Sequence, residues 1–207
     1  MKRLSTFLVA LLTVMCLSFF GCSQQKGSSE KEYSNPQTAG SAQQQQQESQ
    51  TASQQLSGDQ RFISEAAQDG RAEVELAQLA AKKSSDPAVK RFAQKVVTDH
   101  SRANQQLESL PEAGQVAQSA NVPEDKRRTM DDLANLSGKD FDRKYIDEMV
   151  SDHEQAVSRF QDAASTASDP QVKQFATKTL PTLKQHLEMA KSLQARLSRA
   201  GGGSTQQ

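Results

Sequence analysis

Residues 85–95 read SDPAVKRFAQK and residues 168–178 read SDPQVKQFATK, one eleven-residue pattern that returns at an offset of 83. In both copies Ser-Asp-Pro precedes apolar residues at helical spacing. An Asp just before a helix accepts hydrogen bonds from the unpaired N–H groups of the first turn, and a Pro at the first helical position has its φ preset and no N–H to satisfy. Asp86 with Pro87, and Asp169 with Pro170, therefore each open a helix. The same offset aligns Phe62 with Tyr145, Ile63 with Ile146, Glu65 with Glu148, Asp69 with Asp152 and Val74 with Val157. The repeat thus reaches back into a preceding helix, and the duplicated unit is a helical hairpin.

Four stripes of apolar side chains follow a period of about 100° per residue. The first runs through Ile63, Ala66, Ala67, Gly70, Val74, Ala77 and Ala81, and the second through Val89, Phe92, Ala93, Val96, Ala103 and Leu107. The third is Tyr145, Met149, Ala156, Val157, Phe160, Ala163 and Ala167; the fourth is Val172, Phe175, Ala176, Leu180, Leu183, Leu187, Ala190 and Leu197. Residues 111–138 separate the hairpins. That stretch is long enough to run the length of a bundle, and PEDKRRTMDDLANL within it predicts a short helix. A duplicated hairpin with one long crossover is the ferritin-like form of the four-helix bundle, so the expected class is all-α, with the folded domain at 59–199. Pro181 falls inside the fourth helix, where it removes one backbone hydrogen bond and is expected to bend the axis.

The flanks differ sharply. Lys2 and Arg3 precede an apolar run at 4–20, the layout of an export signal over residues 1–21. FFGC at 19–22 resembles the lipobox of bacterial lipoproteins, which implies acylation of Cys22 and a cell-envelope location. Ser23 after that cysteine implies an outer-membrane lipoprotein facing the periplasm. Cys16 would leave with the signal, so no thiol remains for a disulfide. Residues 22–58, rich in Gln and Ser, cannot bury enough surface to order themselves and are expected as a tether with a reach of roughly 30 to 35 Å. Residues 200–207 are expected as a flexible tail. Removing Lys2 and Arg3 from 25 basic residues leaves 23 against 25 acidic ones, a net charge of −2. Near-neutrality with interspersed signs excludes a nucleic-acid partner, which demands a basic face. The expected partner is the membrane, through the lipid.

FISEAAQDGRAEVELAQLA, VKRFAQKVVTDHSRAN, LSGKDFDRKYIDEMVSDHEQAVSRF and TLPTLKQHLEMA resemble, in order over about 59–197, the bacterial domain-of-unknown-function family 4142. That resemblance implies an exported ferritin-like protein of the kind labelled predicted outer membrane protein. It implies no activity.

The folded part carries three histidines, His100, His153 and His186, one on each of the last three long helices. On a helical wheel His100 lies about 20° from Val89 and Leu107, His153 about 20° from Phe160, and His186 about 40° from Ala190. Glu73 lies at the edge of the first stripe. Glu73 and His153 precede their hairpin turns by about 12 and 15 residues, while His100 and His186 follow theirs by about 15 and 18, so at 1.5 Å per residue all four share a mid-bundle layer. One Glu and three His inside a bundle form a sensible ligand set for a transition metal, with Zn, Cu, Fe or Mn as candidates and imidazole suiting the first three. Asp69, Asp99 and Asp152 are expected to accept hydrogen bonds from the imidazoles and so orient them. A ferritin-type di-iron site would need Glu-x-x-His, and Val97 and Val150 stand where those Glu residues would be. Three readings stay open: a metal-binding envelope domain, a metal-dependent oxidoreductase or peroxide-handling protein, and a non-catalytic interaction module with a structural histidine cluster. RAEVE and DKRR read as solvated charge.

Overall fold

The computed structural model describes residues 56–111 and 113–202. The signal, Cys22, nearly all of the tether and residues 203–207 lie outside the described residues. Among the described residues six helices follow one another: α1 Gly58–Lys83, α2 Pro87–Glu108, α3 Gly114–Ser119, α4 Glu124–Asn135, α5 Gly138–Thr166 and α6 Pro170–Gly202. No strand occurs among the described residues. No helix there is long and apolar enough to cross a membrane.

The caps are written in the local sequence. Ser57 and Gln60 form a reciprocal capping box at the start of α1, with both hydrogen bonds 3.2 Å long. Asp86 Oδ1 accepts from the N–H groups of Ala88 and Val89 at 2.8 and 3.2 Å, and Asp169 Oδ1 accepts from Gln171 and Val172 at 2.6 and 3.2 Å. The two Ser-Asp-Pro copies thus do the same job. Asp59 adds a tie between repeats, accepting from the N–H groups of Ser168 and Asp169 at 3.1 and 2.6 Å. Gly138 enters α5 with φ +56°, a left-handed conformation that costs glycine nothing.

Three-residue connections make α1 antiparallel to α2 and α5 antiparallel to α6. The hairpins meet where α2 packs on α6 and α1 on α5, giving a helical bundle. Its core falls into two clusters. One contains Ile63, Ala67, Leu107, Phe160, Phe175 and Leu183; the other contains Leu76, Phe92, Val96, Tyr145, Met149 and Ala190. On every long helix the switch between clusters falls at a buried polar side chain that points into the bundle: Glu73 on α1, His100 on α2, His153 on α5 and His186 on α6. A buried polar layer therefore divides the core.

Four expectations need correction. Val74 and Ala81 are only half-buried, because the buried face of α1 runs through Ala72, Glu73, Leu76 and Ala80; Glu73 is central to that face instead of marginal. The crossover carries α3 as well as the expected α4, with Ala113, Ala117 and Ala120 buried. Helix α6 runs to Gly202, into the segment expected as tail; Pro181 lies inside it, as expected, with its ring on the exposed side. The basic stretches are not simply solvated: Arg71 bonds Glu108 at 3.0 Å and the Ala120 carbonyl, tying the crossover to α1, while Lys126 is largely buried between Glu148 and Asp152.

Candidate metal centre

Four helices each deliver one side chain to the polar layer. Glu73 is 2 % exposed, His100 7 %, and His153 and His186 fully buried. Burying such groups is costly unless each finds a partner, so the partners decide the protonation of each ring.

His153 Nδ1 stands 2.9 Å from the Met149 carbonyl, which can only accept, so Nδ1 carries the proton. His186 Nε2 stands 3.0 Å from Asp99 Oδ2 and donates to it for the same reason. Asp99 is itself held by Lys95 at 2.9 Å and Arg102 at 3.4 Å. Burial raises its carboxyl, but the hydrogen bonds from Lys95 and His186 outweigh this and leave it below the ordinary range. With those two protons assigned, His153 Nε2 and His186 Nδ1 both present lone pairs in the neutral rings, yet they face each other at 3.3 Å.

His100 completes the triangle. Its Nδ1 lies 2.8 Å from Glu73 Oε2, short but out of line, so that oxygen has no aligned donor. His100 Nε2 is buried with no hydrogen-bond partner. The three ring centroids lie 5.4 to 5.5 Å apart, and one ligand nitrogen from each ring falls within 4.8 Å of the others. Nitrogens about 2 Å from a shared ion sit roughly 3.3 to 4 Å from one another, so the observed separations are close to a bound arrangement.

Charge is unevenly distributed over the layer. Burial pushes the Glu73 carboxyl up, but the positive charge of His100, joined by His153 where acid protonates that ring too, more than offsets it and holds the group at about 2. Burial pulls His100 down, and the Glu73 charge reverses this, so His100 is raised above its ordinary 6.5. Burial lowers both His153 and His186; repulsion from His100 adds to it and brings His186 to about 4. The metal-free layer is thus an imidazolium–carboxylate pair beside two neutral imidazoles.

Glu73, expected among the ligands, stands beside Nδ1 of His100 and 3.9 Å from Nδ1 of His153; in His153 that nitrogen is the one turned away from His186. Of the three expected orienting carboxylates, Asp99 reaches an imidazole, and it is His186 rather than the adjacent His100. Asp69 is bound by Arg159 and Asp152 by Lys126. These partners come from other elements, and helical periodicity carries no trace of them. Sequence reasoning also missed the Met149 carbonyl, which no side-chain pattern could have revealed, and Lys126, whose amphipathic register in α4 was a usable signal.

Two solved structures have a similar fold. CopM in a silver-bound form obtained by co-crystallization matches with a TM-score of 0.54 and 20% identity, covering 65% of this chain and 93% of CopM. CopM in the Cu(II)-bound form matches with a TM-score of 0.55 and 17% identity, covering 67% and 96%. No curated protein matches the chain. The family model for the domain of unknown function DUF4142 matches residues 41–193, three quarters of the sequence, and the chain belongs to that family.

Proposed function

We propose that the chain is a cell-envelope protein that binds one copper ion between His100, His153 and His186. The observation that carries this reading is the pair of lone-pair nitrogens 3.3 Å apart, His153 Nε2 and His186 Nδ1, each fixed by a proton given to an oxygen on the far side of its ring. Two lone pairs in a buried site repel unless a cation lies between them. Metal-bound histidines commonly give their other N–H to a carbonyl or carboxylate, as these two do. His100 Nε2 supplies the third donor once its proton leaves, and Glu73 orients that ring and balances the charge. Three imidazoles suit copper, zinc or iron; copper is favoured because the similar fold of CopM has been solved with Cu(II) and with silver.

The pairing of two hairpins across a long crossover is taken as ferritin-like, Cys22 as the lipid-bearing residue, and the outer membrane as its location. No reaction is assigned.

Elemental analysis and calorimetric titration of the purified chain test the proposal. One equivalent of copper should bind wild type, raise its melting temperature, and stabilise it by about 2.7 kcal/mol at a free concentration one hundred times Kd. His153→Ala should lose both effects. A competing account places a shared proton between His153 and His186, making the cluster structural. It requires that neither protein respond to copper, zinc or silver.

A further inference from the structure

The polar layer is one-sided with respect to the internal repeat. At the offset of 83, His153 aligns with Gly70, His186 with Ala103, His100 with Leu183 and Glu73 with Ala156. The repeat relation is real in space: Phe62 meets Phe175 at 6.4 Å between ring centroids, and their counterparts Tyr145 and Phe92 meet at 6.3 Å. A rough twofold therefore pairs each metal-layer residue with a small or apolar one. All four of those mates line a single cavity of about 30 Å³, next to the histidine cluster. Where one half of the duplicated bundle has ligand side chains, the other half has empty space.

Two buried polar atoms border that space with hydrogen-bonding capacity unfilled. His100 Nε2 and Glu73 Oε2 are buried with no aligned hydrogen bond, their side chains only 8 % and 3 % exposed, and both residues line the cavity. Asn104, half-buried, packs over Gly70 at the cavity wall, and a Cβ at residue 70 would displace its side-chain amide. At roughly 10 to 15 Å³ per water-sized molecule, the cavity holds about two such bodies.

We propose that this cavity is a ligand pocket, which admits one neutral molecule of two heavy atoms, of the size of dioxygen or hydrogen peroxide, to the His100 side of the imidazole centre. The pocket itself does not depend on metal. Its role as the open face of a metal centre rests on the copper reading above. Three imidazoles leave a coordination position free, and the cavity lies against the ring whose donor nitrogen has no other partner. Small residues at 70, 103 and 156 keep that position open, and Phe160 and Phe175 close the cavity on its apolar side.

Xenon binds apolar cavity walls, which Phe160, Phe175 and Leu183 supply here, and is the probe. In the metal-free chain, xenon should give a saturable ¹²⁹Xe shift and should move the His100 ring resonances more than those of His153. Ala103→Leu should remove both effects while far-UV circular dichroism stays that of wild type. Ala156→Val serves the same comparison should the larger residue disturb folding. The pocket is refuted if xenon binds variants and wild type alike, or if the His100 ring does not respond. On the chain loaded with Cu(I), carbon monoxide should show an infrared C–O band that Ala103→Leu abolishes at unchanged copper content. A copper-loaded wild type without that band overturns delivery to the centre, and a chain that binds xenon at His100 but retains no copper overturns only the copper reading.

Discussion

Replacing Glu73 by Gln keeps the shape of the side chain and removes its charge from a site that is 2 % exposed. The carboxyl is held at about 2 instead of its ordinary 4.5, which corresponds to about 3 kcal/mol of stability at ~1.4 kcal/mol per tenfold change in proton affinity. Because the folded value is the depressed one, this contribution is complete above pH 4.5 and is lost as pH falls through about 2. Its partner works in the opposite sense. His100 is raised above 6.5, so its contribution is complete below 6.5 and is lost as pH rises through the raised value. The pair is therefore most stabilising between those limits, near pH 5 to 6. Urea unfolding of chelator-treated wild type and Glu73→Gln, followed by circular dichroism, should show a gap of about 3 kcal/mol at pH 6 that shrinks below half by pH 3. A variant as stable as wild type at pH 6, or a gap that persists undiminished to pH 3, would refute the assignment of an ion pair to this layer.

Phe92→Ala and Phe175→Ala remove equivalent rings from the two core clusters and should each cost about 3 to 5 kcal/mol; a loss under about 1 kcal/mol at either, measured by denaturant titration, would contradict the duplicated core. Asp99→Asn leaves His186 Nε2 without its carboxylate and should weaken copper binding about 10- to 100-fold by calorimetry with the fold intact. His186, lowered by burial to about 4 from 6.5, stays neutral in the fold while the unfolded chain protonates, so wild type should lose stability as pH falls from 6.5 towards 4 once the Glu73 contribution is subtracted. Cys22→Ser should move the chain out of the membrane fraction or leave it uncleaved, and an unchanged membrane fraction of mature length would sink the lipid anchor.

Much of the architecture was legible because it is built from local, repeated signals. Asp86 and Asp169 act within three residues of themselves, so the sequence alone announces the caps and hence the hairpins. The polar layer was legible for a different reason: three histidines at mid-helix depth on apolar faces can converge only at one level. What stayed hidden depends on contacts across elements. Asp69 and Asp152 sit within a turn of the layer, but Arg159 and Lys126 claim them from other helices. Periodicity also put Val74 on the buried face of α1, whereas packing against α2 and α5 rotates that face towards Ala72 and Glu73. The orientation of each imidazole was equally out of reach, since it is set by the Met149 carbonyl on one helix and by Asp99 on another.

X-ray absorption at the copper edge of the loaded chain tests the central claim most directly. Three imidazole nitrogens at roughly 2 Å, seen with the multiple-scattering features of the rings, are the expected result, with those features reduced by one ring in His153→Ala. A first shell of sulfur or of oxygen alone, or a spectrum unchanged in His153→Ala, would contradict a copper ion held between His100, His153 and His186.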